Sequence, residues 1–475
     1  MTPPTEVSTR PHAPGSRLGL LPLLLGLAWA VVLERFGNAR LQGLRVPAFD
    51  TAYFQQLVWG LFHGHPFSAS FLQGNFLGLH FSPLLVVPAL VEIVVPGAPG
   101  LNLVTAVALG AVAPAACLAC REILPSTPAG MALSVVIALV LPFTPPLQEA
   151  AWSGFHTEEL ALPLLLLATW SALRGKRLLT ALLLLGVLLA KEDQAYGVVV
   201  LGALLLVTPG RRRMGAWTVG AGVAWGVLVF ALLMPWLRHG QPTDTGTYYA
   251  WLVSGGPGAA LSPGRMGEVV RALLAVDAWR VLALSIVALG LLPLLRPGFA
   301  LLALPPFLAA VLSRHQPQPH LQLQYALPIV YPLVVAAALG ARRLLDTWTP
   351  RPAAVVAAVV PGVSVAFAGT LLFPLAALLA HPGPDWLTGE ADALRAVPVG
   401  AELDVDDSAA AAVASRTNLH LLPHVAPTAF VLVDTVARPP LYTDRPARER
   451  EVSRLAADRQ LLWTNGRLQL WSPQG

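Results

Sequence analysis

Charge and cysteine are both scarce in this sequence. Charged residues make up 12% of its 475 positions, about half of the ~25% of an ordinary soluble domain. A chain so poor in charge cannot cover a water-soluble core, and at 55% hydrophobic it is not a disordered one either. Two cysteines exclude a disulfide framework. Cys117 and Cys120 have CxxC spacing, but both end an apolar run and no second ligand pair follows, so they read as buried thiols. There is no GxGxxG, Walker A or HExxH pattern. The net charge of +5 is small and points to no nucleic-acid partner. What the chain has instead is long apolar runs and a mean hydropathy of +0.63, the mark of a polytopic α-helical membrane protein.

Spans need roughly 20 apolar residues, fewer where flanking side chains snorkel. Such runs fall at 18–36, 100–119, 130–147, 159–173, 178–191, 194–209, 215–236, 278–295, 298–313, 323–340 and 353–380, which predicts eleven transmembrane helices. The run 83–96 is short and proline-rich, and reads as a re-entrant or interfacial segment within a first external loop, 37–99. With the tail 1–17 in the cytoplasm, Arg121, the Arg174–Lys176–Arg177 cluster, Arg211–Arg212–Arg213, Arg296, Arg342, Arg343 and Arg351 all fall on that side, as the positive-inside rule requires. Arg40, Arg45, Arg238, Arg265 and Arg271 fall opposite, scattered through the two longest loops. Counting 83–96 as a span would split the clusters between the two faces. The first apolar stretch continues past Ala28-Trp29-Ala30 to Phe36, so it reads as an uncleaved span rather than a secretion signal. The transmembrane domain is thus 18–380. From 381 to 475 the chain turns polar and predicts a small external α/β domain: strands at Glu402–Asp406, Leu419–Leu422 and Phe430–Asp434, a helix at Glu449–Asp458, and a hairpin across Asn465-Gly466.

Polar residues meet the membrane on the external side in five places. Asp50 opens a segment whose apolar residues at 54, 57, 58, 61 and 62 have helical spacing, which predicts an amphipathic helix over 50–63 lying on the membrane. The bland reading of Asp50 is an N-cap. His80 stands in Leu79-His80-Phe81-Ser82-Pro83, at the mouth of the short apolar run. It suits a metal or phosphate, or a local hydrogen bond. His156, Glu158 and Glu159 enter a span together; His156 and Glu159, three apart, would share a helix face, while Glu158 would join them only through an extended turn. A solvated helix start with favourable acidic residues is the simpler account. Lys191, Glu192 and Asp193 join two apolar runs with almost no loop, and Lys191 is the only external lysine of this topology. They are either a self-compensating ion cluster or an anion contact. Arg314 and His320 lie in a proline-interrupted external loop before Tyr325, and Arg314 opposes the positive-inside trend. No single element is specific; their convergence at one face is the signal.

These pieces resemble the bacterial DUF2079 family of predicted membrane proteins over most of the chain. They are Phe49-Asp50-xxx-Phe54-xxx-Val58-Trp59 with His63-Gly64-x-Pro66-Phe67, His80-Phe81-Ser82-Pro83, Phe155-His156-x-Glu158 with Pro163, Lys191-Glu192-Asp193, Gln324-Tyr325-Ala326-Leu327-Pro328, and the tail strand Phe430–Asp434. Two positions depart from the family pattern: Gln324, where a His often precedes the Tyr, and Thr157, where a Pro usually follows the Phe-His. That family is distantly similar to the GT-C glycosyltransferases. The resemblance implies an enzyme of the bacterial cytoplasmic membrane that moves a sugar from a polyprenyl-phosphate donor at the outer face. It implies Asp50 as the acceptor-activating base, and Lys191, His80, His156, Glu158, Glu159, Glu192, Asp193, Arg314, His320 and Tyr325 as the substrate-binding set. A divalent metal held by carboxylate and imidazole is compatible with such a site, though no motif indicates one. Two other classes remain open: a lipid or solute transporter, which also gathers ionisable groups between spans, and a non-catalytic assembly or sensor protein working through its external domain.

Overall fold

The computed structural model describes residues 17–71, 74–240, 244–254, 262–347, 376, 379–398, 400–423, 425–436 and 445–474. Two long helices, Ala98–Ile123 and Leu323–Thr347, are buried along most of their length and form the centre of the helical body. Two others, Leu21–Gln42 and Arg212–Arg238, are peripheral. They expose Leu23, Leu24 and Leu27 on one, and Trp217, Val223, Val227 and Phe230 on the other, as a surface facing lipid tails would. Helix Leu21–Gln42 packs along Ala98–Ile123 through a glycine contact. A Cβ on Gly26 would stand 2.4 Å from the Gly110 carbonyl oxygen, and one on Gly110 would stand 2.6 Å from that of Gly26. In lipid, where apolar burial drives nothing, small residues let helix backbones approach this closely.

Among the described residues these four helices are long and apolar enough to cross a membrane. The remaining predicted spans are met differently. The unbroken run expected at 130–147 is bent: Pro128–Val140 passes through a 3-10 turn at Leu141–Phe143, and Pro145–Ser153 leaves at 42°. Pro142, Pro145 and Pro146 carry no N–H to continue the ladder. Helices Thr157–Leu173, Arg177–Ala190 and Ala195–Val207 have 17, 14 and 13 residues, short of the ~20 of a full crossing. The predicted span 353–380 lies outside the described residues except for 376, 379 and 380. Among the described residues the expected spans thus include full-length, bent and short helices. Pro83–Leu85 and Val86–Glu92 form a short helical piece whose Val86, Val87 and Leu90 are exposed.

The segment around Asp50 is a π turn, Ala48–Ala52, that runs into helix Tyr53–Gly60. Phe54, Leu57 and Val58 pack with Phe76, Leu85 and Phe155. The opposite side does not face headgroups. Gln55 Nε2 donates to Ser415 Oγ at 3.1 Å, and Gln56 Nε2 donates to the Arg416 carbonyl at 2.6 Å. The helix is held between the helical body and the C-terminal domain.

That domain is a five-stranded sheet in the order β2-β1-β3-β5-β4, from β1 (Leu403–Val405), β2 (Leu419–Leu421), β3 (Phe430–Asp434), β4 (Leu461–Thr464) and β5 (Leu468–Trp471). Strand β1 runs parallel to both β2 and β3, while β5 is antiparallel to β3 and β4. The strands fall on the period-2 stretches of the sequence, and Gly466, at φ +91°, supplies the left-handed residue of the β4–β5 turn. Leu403, Val405, Ala409 and Leu432 share one core with Leu41, Leu44, Val46 and Ala48. The sheet is thus packed onto the start of the first long loop. Buried Asp434 ties β3 to β5, accepting from Arg467 Nε at 2.8 Å and Nη2 at 2.7 Å and from Ser408 Oγ at 2.9 Å.

Candidate functional site

Asp50 and His156 come from segments over a hundred positions apart and meet at 3.6 Å, His156 Nε2 to Asp50 Oδ1. Gly154, at φ +84°, lets the chain turn before the helix that His156 caps. His156 itself is extended, and its Nδ1 donates to the Gly154 carbonyl at 3.2 Å. That bond leaves Nε2 to face Asp50, as an acceptor in the neutral ring and a donor in the protonated one. Phe54 closes edge-on over the imidazole at 5.3 Å between ring centres. Asp50 is not an N-cap: it lies inside the π turn, the cap of Tyr53–Gly60 is Ala52, and no side-chain cap bond is present.

A second group lies beside this pair. Glu158 Oε1 accepts from Lys191 Nζ, and Asp193 Oδ2 lies 4.0 Å from the same ammonium. Glu192 is buried and grips the other loop: Oε1 is 3.1 Å from His80 Nδ1, and Oε2 accepts from the Phe81 N–H at 2.9 Å. Ser82 and Thr157 hydroxyls lie 3.3 Å apart at the same junction. Glu158, Lys191, Glu192, Asp193, Gln318, Gln324 and Tyr325 line a cavity of about 470 Å³ together with Leu162, Leu165, Val199, Phe230 and Tyr331.

Of the predicted residues, Asp50, His80, His156, Glu158, Lys191, Glu192, Asp193 and Tyr325 fall in this connected region. Glu159 does not. It is fully buried, and neither of its carboxylate oxygens has a hydrogen-bond partner among the described residues. Because His156 is extended rather than helical, the i, i+3 argument that paired it with Glu159 fails; of the two glutamates it is Glu158 on which His156 acts electrostatically. Arg314 pairs with Glu268, lies 4.9 Å from the Trp251 ring centre, and lines a separate cleft with Arg271. His320 pairs with Asp277 at 3.0 Å. Their acidic partners come from two helices, Pro263–Leu273 and Val276–Ala288, which spacing within the 313–325 segment could not reveal. Three site features were missed in the sequence. Arg40 packs its guanidinium against Phe36 and Trp152, donates to the Trp152 carbonyl at 2.5 Å, and acts electrostatically on Asp50. Asp407 Oδ1 accepts from the Ala48 N–H at 3.0 Å. Burial and the like charge of Asp50 push its carboxyl above the usual range, against the pull of that hydrogen bond. His315 stacks on Tyr248 at 4.4 Å and meets Tyr325 edge-on at 5.9 Å. The one available signal was Asp406-Asp407 at the end of a parallel strand, where α/β domains present polar groups.

A family model described as a predicted membrane protein, DUF2079, matches residues 40–449. The chain belongs to the DUF2079 family. No curated protein matches the sequence. Among solved structures, this DUF2079 protein resembles ArnT from Cupriavidus metallidurans bound to undecaprenyl phosphate, with a TM-score of 0.53 and 14% identity over 96% of this chain and 98% of the other. It resembles the apo state of the same protein with a TM-score of 0.51 and 13% identity, over 94% and 97%. The fold thus resembles that of ArnT over nearly the whole chain. Both departures from the family pattern lie at the site: Gln324 lines the cavity, and Thr157 meets Ser82.

Proposed function

We propose that this DUF2079 protein is a GT-C-type glycosyltransferase that moves a sugar from a polyprenyl-phosphate donor to an acceptor at the outer face of the bacterial cytoplasmic membrane. One observation carries the reading: a cavity whose lining is divided between charged or amide side chains and apolar ones, with a lysine among the polar groups and the Asp50–His156 pair beside it. A phosphate on an apolar chain has that same division. The undecaprenyl phosphate bound by the ArnT structure of similar fold supports the assignment of lipid class.

The chemistry follows from residue types. The acceptor hydroxyl attacks the anomeric carbon, the bond from that carbon to the phosphate oxygen breaks, and the hydroxyl proton passes to Asp50. His156 Nε2, facing the carboxylate, can take that proton onward. The polyprenyl phosphate leaves with the bonding pair, and its charge needs a cation. Lys191 has three N–H donors. Glu158 accepts from one, and Asp193 at 4.0 Å lies beyond hydrogen-bond reach, so donors remain for a phosphate oxygen without breaking the cluster. Glu192 orients His80 toward the same loop junction. Glu159, Arg314 and His320 take no part in this reading.

The test is release of polyprenyl phosphate from a polyprenyl-phosphate sugar by the purified protein in proteoliposomes. Release that depends on an added acceptor supports transfer. Counterflow of a substrate with no release would favour a transporter, and neither activity in folded protein would leave the assembly role.

A further inference from the structure

The C-terminal sheet carries a cluster that the transfer reaction does not use. Glu402 and Asp404 lie two apart at β1 and so project on one side. His420 on β2 stands in register with Asp404 across the parallel pair. The geometry points to a first-row divalent cation site, of the Zn²⁺ class, held by Glu402, Asp404 and His420.

Three features argue for it. One ligand atom from each residue lies within 4.8 Å of the others. His420 Nδ1 is 3.3 Å from Glu402 Oε1 and 3.5 Å from Asp404 Oδ1. Direct N–H···O bonds run at about 2.7–3.2 Å. Ligands about 2.1 Å from a tetrahedral zinc stand about 3.4 Å apart, and both measured separations match that edge. The carboxylates are also pre-oriented. The Ala426 N–H donates to Asp404 Oδ2 at 2.8 Å, and the Thr428 hydroxyl donates to Glu402 Oε2 at 3.2 Å. Each bond turns the second carboxylate oxygen toward the imidazole, as outer-shell donors do around bound metals. One imidazole with two carboxylates selects zinc over calcium or magnesium, which prefer oxygen alone.

The site has a structural consequence. Leu419, adjacent to His420, donates its N–H to Ser70 Oγ at 3.1 Å and accepts from it at 2.5 Å. Ser70 in turn is bonded to Gln56, through its N–H at 2.7 Å. A cation joining β1 to β2 would brace the strand that grips the first external loop.

The experiment uses the full-length chain without a polyhistidine tag, purified in detergent and stripped with a chelator. Zn²⁺ is titrated by calorimetry, and metal content is read by mass spectrometry. The expected result is one equivalent bound, a melting midpoint raised by Zn²⁺, and affinity reduced by at least about 10–100-fold in Glu402→Gln and in His420→Asn. Both residues are partly exposed, with side chains 27% and 36% accessible, so these variants should fold. Cys117→Ser/Cys120→Ser protein should bind as the parent does. No stoichiometric binding by cooperatively melting protein, undiminished binding in both ligand variants, tighter binding of Ca²⁺ than of Zn²⁺, or loss of binding on cysteine replacement alone would each overturn the assignment. Binding is read without any transfer assay, so it stands or falls apart from the proposed function.

Discussion

Asp50→Asn is the sharpest perturbation of the proposed chemistry. Asparagine keeps the shape and most of the hydrogen-bonding capacity of the residue but cannot accept a proton from the acceptor. Positioned general bases contribute about 10²–10⁴-fold, so turnover should fall by that factor, about 2.7–5.4 kcal/mol of transition-state stabilisation at 1.36 kcal/mol per decade. The structure adds a second loss. At 3.6 Å from His156, a unit charge pair in a medium of effective dielectric ~20 interacts by about 4–5 kcal/mol, and the neutral amide forfeits that hold on the imidazolium formed as the proton moves on. The substitution should leave folding unaffected, because Asp50 makes no capping bond and the π turn is fixed from its backbone by Asp407. The assay is initial-rate release of polyprenyl phosphate in proteoliposomes, with membrane insertion and melting measured in parallel. A fall in kcat with little change in the apparent donor constant is expected. If Asp50→Asn turns over within about threefold of the parent, far inside the general-base range, Asp50 is not the base and the carboxylate must come from elsewhere.

Four further outcomes are expected. Lys191→Ala should raise the apparent donor constant more than it lowers kcat, because the lysine supplies charge for a phosphate that is present in both ground and transition states; an unchanged donor constant would remove it from the site. Asp407→Ala should lower turnover by loosening the π turn, while Asp407→Asn, which still accepts from the Ala48 N–H, should largely restore it; equal loss in both would refute a positioning role. The Asp434 carboxylate is held below its usual pKa by hydrogen bonds from Arg467, Val436 and Ser408 despite burial, so its stabilisation is present above about pH 4 and is lost as pH falls through the depressed value. Asp434→Asn should therefore destabilise the C-terminal domain at neutral pH by roughly 3–5 kcal/mol by leaving Arg467 unpaired and flatten the acid limb of its melting curve. A reporter active only in the cytoplasm, fused after Gly475, should be silent; strong activity would reverse the proposed orientation.

Much of the architecture could be read directly because it follows from local composition. A 12% charged chain has only the bilayer as a solvent for its apolar surface, and any membrane span must satisfy its own backbone, so helices were required. The strands of the tail could be read from period-2 alternation and the Asn465-Gly466 turn, both local properties. The membership of Asp50, His80, His156, Glu158 and Lys191 in one region was legible as a depth: each stood where an apolar run begins or ends. Pairing was not legible, because partners are chosen by packing between segments remote in sequence. Helical periodicity favoured Glu159 over Glu158 beside His156, but the extended backbone at His156 rotates the choice. Arg314 and His320 looked available to a phosphate until the structure supplied Glu268 and Asp277 from two other helices. Asp407 and Gln56 could be joined to the site only by the docking of the C-terminal sheet onto the first loop. The straightness of a span was not legible for a related reason. Hydropathy measures how long a run is apolar, whereas the prolines at 142, 145 and 146 decide whether the chain stays straight through it. The sequence determined the solvent that the apolar surface needs; tertiary packing alone decided which charges face one another, since a buried charge is costly unless the fold brings it an opposite partner.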